Sequence, residues 1–326
     1  MTNRYDEHDP ESYERPRRHT RPRTKDRPTY ADALPGVVVS VDRGRYTCRL
    51  EDQPALVTAM KSRSLGRQGV VVGDRVRLVG DSSGAGGSLA RIVTVDSRAT
   101  VLRRTADDSD PVERVVVANA DQLVVVTALA DPEPRLGLID RALVAAYDAG
   151  MVPLLCLTKA DLADPEPLLA TYRPLGVPSV VTQRDADLAV IRDRLADTTS
   201  VLLGHSGVGK STLVNALVPD AYRETGIVNA VTGRGRHTSS SAQMLALPGG
   251  GWIIDTPGIR TFGLAHVDPD QLISAFPDLD ELTLDCPRGC THATAEPECG
   301  LDEAGPDLRD RMTSFRRLLD SRNAVV

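Results

Sequence analysis

Between residues 121 and 203 the apolar positions come as short unbroken runs. DQLVVVTAL (121–129), VPLLCL (152–157), PSVVT (178–182) and SVLL (200–203) each read as a strand buried on both faces. Between them, GLIDRALVAAYDAG and DADLAVIRDRLAD repeat their apolar residues at helical spacing, and the first ends in Gly. Strands alternating with helices predict a parallel sheet covered on both faces. SAQMLALPGGGWIID then reads as a hairpin, two strands around a triple-Gly turn.

The pattern is different upstream. In residues 36–104, GVVVSVDRGRYTCRL alternates around a polar turn, GVVVGDRVRLVG is strand, turn, strand, and DSSGAGGS is a loop before LARIVTV. Four or five short strands in this stretch suit a small barrel, OB-fold-like or SH3-like. Downstream, DPDQLISAF reads as a capped helix. In the closing segment, GPDLRDRMTSFRRLLDS, the residues Leu308, Met312, Phe315 and Leu319 share one helix face. The expected organisation is a multi-domain chain: an arm over 1–34, a barrel over 35–104, an α/β domain over 105–264 and a mainly helical domain over 265–326.

Composition narrows the class. The chain is 41% apolar and has no run of apolar residues long enough to cross a membrane as a helix. The first thirty residues are polar and Pro-rich, unlike a secretory signal, and with the clustered cysteines reading as metal ligands a cytoplasmic location is expected. Residues 1–104 carry 20 Lys and Arg against 13 Asp and Glu, whereas the remainder carries 19 against 32. A basic front on an acidic body fits docking of one end on a polyanion. The segment RPRRHTRPRTKDRP (15–28) reads as a solvated tail or a nucleic-acid-binding arm. Tyr46 is the only aromatic residue in 36–104, so backbone contacts to structured RNA fit the barrel better than base stacking.

The chemistry begins at GHSGVGKST (204–212), which matches G-x-x-x-x-G-K-[ST]. Gly204, His205, Ser206, Gly207, Val208 and Gly209 form a loop whose N–H groups can cradle phosphates. Lys210 can reach the β- and γ-phosphates, Ser211 can coordinate Mg²⁺, and Thr212 lies in the first turn of the helix that follows. DTPG (255–258) ends the apolar strand WIID. There Asp255 can hold Mg²⁺ through water and the Gly258 N–H can touch a γ-phosphate. TKAD (158–161) ends the strand VPLLCL and reads as a guanine reader. The Asp161 carboxylate accepts from guanine N1–H and its exocyclic amine, while adenine offers it a lone pair. Lys159 lies along the purine, and Thr158 stands where N-K-x-D has Asn, which is expected to loosen a tie to the phosphate loop. The chain order is base reader, phosphate loop, Mg²⁺ motif, as in a circularly permuted GTPase. A parallel sheet can be cut and rejoined without moving its site. A small-molecule kinase with the same loop would prefer ATP, against Asp161.

Cys286, Cys290, His292 and Cys299, spaced C-x3-C-x-H-x6-C, make a closed structural Zn²⁺ set. Cys48 and Cys156 sit in strand-like runs as packing residues.

The permuted order, the basic barrel and the Cys-Cys-His-Cys loop together resemble the ribosome small-subunit-dependent GTPase A family, over about residues 36–320. GRGRHTSS (233–240) is similar to that family's Gly-Arg-His-Thr segment and DTPGIRTFGL to its switch. No clear Ser-Ala base-closing motif appears near Thr182. The resemblance implies a hydrolase of GTP to GDP acting late in maturation of the small (30S) ribosomal subunit, and one complete site per chain makes a monomer the default. Its barrel would lie on 16S rRNA and its zinc domain on the subunit head. Ile259 stands where many GTPases carry Gln, which makes His237, beside Thr238 of the first switch, the candidate for ordering the attacking water, the alternative being an RNA contact. A non-catalytic, GTP-dependent RNA-binding protein is the competing class.

Overall fold

The structure is a computed structural model. It describes residues 30–53, 55–66, 68–104, 114–219, 242–256, 264, 267–294 and 296–323. Met1–Ala31 separates from Asp32–Val326, which is one compact unit.

Five strands form the barrel: β1 (Leu34–Asp42), β2 (Arg45–Leu50), β3 (Leu56–Lys61), β4 (Arg75–Gly80) and β5 (Ala90–Val95). Their order is β1-β2-β3-β5-β4, closed by antiparallel pairing of β4 with β1, and β3 runs parallel to β5. That closure is the OB-fold arrangement. Val38, Cys48, Leu50, Val57, Val76, Leu78 and Ile92 fill the interior. Burial pushes the Cys48 thiol up to about 12, as expected of a packing residue.

β6 (Val101–Arg104) and β7 (Arg114–Ala118) pair with each other, so this ribbon straddles the expected boundary at 104/105. The α/β part has strand order β10-β9-β8-β11-β13-β12. It is built from β8 (Gln122–Ala128), β9 (Val152–Thr158), β10 (Ser179–Val181), β11 (Thr199–Leu203), β12 (Gln243–Ala246) and β13 (Trp252–Asp255). Neighbours are parallel except β12, which returns antiparallel to β13 through the triple-Gly turn. The helices are α1 (Leu136–Asp148), α2 (Glu166–Tyr172), α3 (Ala189–Leu195) and α4 (Lys210–Leu217). β8 and β9 are almost wholly buried, which is why they read as unbroken apolar runs.

Two features were not legible along the chain. First, barrel and α/β sheet are continuous, because Ser40 of β1 pairs with Gln243 of β12. A bulge at Val39 shifts the β1–β2 register and lets β1 serve both sheets. Second, the C-terminal segment shares one core with the α/β part. It contains α5 (Pro269–Ile273), α6 (Pro277–Asp280) and α7 (Arg309–Asn323). Phe276 is wedged edge-on between Tyr147 of α1 and Phe315 of α7, at centroid distances of 5.0 and 5.3 Å. Phe315, Leu318 and Leu319 form the buried face of α7, with Leu308 and Met312 packed at its edge.

Candidate functional site

The three nucleotide motifs read from the sequence each sit, where they fall on described residues, at the C-terminal end of a parallel strand. TKAD follows β9, the Gly-rich loop follows β11 and Asp255 closes β13. Parallel neighbours end on the same edge of the sheet, so one crevice receives all three whatever their order in the chain.

The phosphate loop requires its glycines. A Cβ at Gly204 would stand 2.7 Å from the Val126 carbonyl oxygen, and Gly209 has φ 89°, a left-handed value. Beyond Gly209 the chain enters α4 at Lys210, with Ser211 and Thr212 exposed in its first turn. Val208 is buried, while Ser206 and Gly207 face outward. The His205 ring lies with Nδ1 2.9 Å from the Ser206 carbonyl oxygen. The Lys210 ammonium is paired with the Asp255 carboxylate, so the phosphate-reaching cation and the expected Mg²⁺ carboxylate are neighbours. Thr256 next to it is buried and donates to the Leu202 carbonyl (2.8 Å), tying the start of DTPG to β11. Gly258, His237 and Thr238 lie outside the described residues.

At Thr158 the structure departs from expectation. Its hydroxyl donates to the Val208 carbonyl at 2.5 Å, with the Thr127 carbonyl 3.2 Å away. The tie between base reader and phosphate loop is therefore retained. The Thr hydroxyl itself spans the gap to the loop, and Gly209, held as glycine by its φ of 89°, lies within ordinary contact of the Thr158 side chain. Lys159 has φ 57° and its ammonium donates to the Asp131 carbonyl. Asp161 is exposed on the loop after β9, open to a base.

Two contributors carried no motif. The loop after β8 supplies the Asp131 carbonyl that holds Lys159, and Pro132 packs near Gly207 of the phosphate loop. The segment after β10 lies beside TKAD: Thr182 N–H donates to the Leu157 carbonyl (2.7 Å) and the Ala160 N–H to the Thr182 carbonyl (3.2 Å). Position at a strand end is the signal that could have found both.

Cys286, Cys290, His292 and Cys299 bring their ligand atoms within 4.8 Å of one another, and the four can hold a metal ion. His292 Nδ1 lies 3.9, 3.5 and 3.8 Å from the sulfurs of Cys286, Cys290 and Cys299. Metal–ligand bonds of about 2.0–2.3 Å at tetrahedral angles separate N and S donors by about 3.5 Å, so the set fits Zn²⁺ with modest tightening. Asp270 stands 3.4 Å from His292 Nε2, on the far side of the ring, and the Gly300 N–H donates to the Cys286 sulfur at 3.2 Å. Such outer contacts fix a histidine tautomer and a thiolate. Burial lifts the Cys290 thiol to about 11, with Cys299 and Cys286 adding to the rise against a His292 backbone contact. A cation binding there displaces its proton.

Comparison with known proteins agrees with this geometry. The RsgA GTPase family model matches residues 95–265. The small ribosomal subunit biogenesis GTPase RsgA of Pseudomonas aeruginosa (strain LESB58) is 41% identical over 264 residues, 77% of this chain and 76% of that one. Its namesake from Ectopseudomonas mendocina (strain ymp) is 44% identical over 218 residues, and the match spans 63% of each chain. Among solved structures, YjeQ from Thermotoga maritima superposes with a TM-score of 0.64 at 26% identity, over 88% of this chain and 99% of that one. YloQ, described as a circularly permuted GTPase, shares the fold with a TM-score of 0.62 at 22% identity, over 92% and 99%. The chain belongs to the RsgA GTPase family.

Proposed function

We propose that this chain hydrolyses GTP to GDP and phosphate in biogenesis of the small (30S) ribosomal subunit, with turnover stimulated by that subunit. The observation that carries the reading is the convergence of TKAD, the phosphate loop and Asp255 at one sheet edge, in permuted chain order. Asp161 and Lys159 read guanine, and the N–H groups of 204–212 with Lys210 hold the phosphates. Ser211 and Asp255 would hold Mg²⁺, which offsets phosphate charge. Lys210 turns from Asp255 to the phosphates as the site fills. Gly258 meets the γ-phosphate, and His237, next to Thr238, orders the attacking water. Cys286, Cys290, His292 and Cys299 hold one Zn²⁺ that shapes 265–326. The barrel over 35–104 contacts 16S rRNA, the arm over 1–34 adds basic charge, and the protein works as a monomer in the cytoplasm. Among the described residues no helix is long and apolar enough to cross a membrane.

The test is GTP turnover with purified small subunits, compared with large subunits and bare RNA. Stimulation by small subunits that His237→Ala abolishes, with binding kept, is expected. Absence of stimulation favours the non-catalytic RNA-binding class.

A further inference from the structure

Arg49 of β2 and Trp252, the first residue of β13, meet where barrel and α/β sheet join. The guanidinium carbon lies 4.8 Å from the centroid of the indole. Both side chains are half-buried. Among the described residues, no carboxylate, carbonyl or hydroxyl accepts a hydrogen bond from the Arg49 side chain. A guanidinium has five N–H donors in its plane and two flat faces, of which a single ring can cover at most one. Arg45 lies on the same outward face of β2, alternating with the buried Tyr46, Cys48 and Leu50. Tyr46, the barrel's one aromatic, is 8% exposed, so the barrel has no stacking surface of its own. The α/β sheet supplies one.

We propose that the Arg49–Trp252 stack is a platform for an unpaired nucleotide of RNA. The indole backs one face of the guanidinium, the other face stacks a base, and the in-plane donors reach the adjoining phosphate, with Arg45 beside them. A carboxylate of an acidic protein would satisfy the donors and leave the stacking face unused, so the geometry favours a nucleotide. Base pairing hides base faces, so the platform selects single-stranded over duplex RNA. Trp252 heads the four-residue strand that ends at Asp255, which registers the docked nucleotide on the strand carrying the expected Mg²⁺ carboxylate. The proposal rests on the reading of the barrel as an RNA-binding element.

Trp252 is the only tryptophan in the chain, so indole emission, excited at the red edge where tyrosine does not absorb, reports on this position alone. The full-length protein is titrated with a short single-stranded oligoribonucleotide, a duplex RNA of equal length and an acidic peptide. Saturable change in emission with the single strand, and little with the duplex or the peptide, is expected. Arg49→Lys keeps the charge and loses the plane. It should weaken single-strand binding about tenfold, leave duplex binding nearly unchanged, and leave GDP binding and Tm as in the parent. Read by the anisotropy of a dye-labelled strand, because these variants lack the indole, Trp252→Phe should keep most of the preference for single strands and Trp252→Leu should lose it. Equal weakening of both RNAs by Arg49→Lys, an emission change as large with the peptide, or no change with the single strand overturns the platform while the barrel's RNA reading stands. Failure of either RNA to bind at low salt overturns both.

Discussion

At Thr158 one hydroxyl joins two motifs. In a trans peptide the carbonyl and the following N–H point in opposite directions. Because the Thr158 hydroxyl holds the Val208 carbonyl, the Gly209 N–H is turned away from β9 and into the phosphate cradle. A buried carbonyl stripped of its donor costs about 1–3 kcal/mol. Thr158→Val, close in shape, is therefore expected to weaken GDP and GTP alike by about tenfold, while turnover at saturating GTP stays near that of the parent. Thr158→Ser should restore affinity. Nucleotide titration and steady-state kinetics check this, and a change in kcat with affinity intact would exclude the assignment.

At the scale of elements, the C-terminal helix is held to the α/β sheet by charge as well as by its apolar face. Arg317 of α7 donates to the buried Asp140 of α1 at 3.1 Å and lies over the Tyr172 ring of α2 at 5.1 Å. Burial holds the Asp140 carboxyl above its ordinary range, with Arg317 pulling it back. The folded state thus takes up this proton more readily than the unfolded chain, so the group's contribution to stability falls as pH rises above the usual carboxylate value. Removing Arg317 raises the folded-state value further. Arg317→Leu should destabilise by about 3 kcal/mol at neutral pH and by less at a pH well below the ordinary Asp value of about 3.9, where Asp140 is protonated in both states. Denaturant unfolding at the two pH values measures the difference. The metal loop offers a second test at this scale. Purified, reduced protein should carry about one zinc per chain. Asp270→Ala, which removes the carboxylate beside His292 Nε2, should weaken zinc about 10- to 100-fold in chelator competition without losing any of the four donors.

For the whole molecule, the shared core sets what can be cut away. Phe276 and Phe315 are almost fully buried in the same cluster as Ile139, Leu143 and Leu157. Ending the chain at residue 266 would uncover that cluster, so the truncated protein is expected to melt well below the parent or to aggregate, as read by a thermal scan. The front cut is equally sensitive to position. A chain starting at residue 105 loses β6, the partner of β7, and loses Gly73, whose carbonyl accepts from Asn119 at 2.9 Å. The joint at Ser40–Gln243 adds a backbone pairing that the cut removes.

Much of this protein is determined locally and so is legible in its sequence. The unbroken runs of β8, β9 and β11 announce strands buried on both faces, and the Gly and Lys positions of 204–212 allow one backbone path. The Cys and His spacing brings four donors together because the loop is short and closes on itself. Other properties depend on residues far apart in the chain, which spacing cannot encode. Whether the barrel closes as an OB-fold was decided by parallel pairing of β3 with β5, since five alternating strands suit either barrel. Thr158 reads as a weakened motif until its hydroxyl is seen to meet the Val208 carbonyl, far along the chain. The barrel has no aromatic surface of its own, and Trp252 brings one from another sheet. In each case local pattern records which side of an element is buried. Only the packing of distant elements decides what covers it.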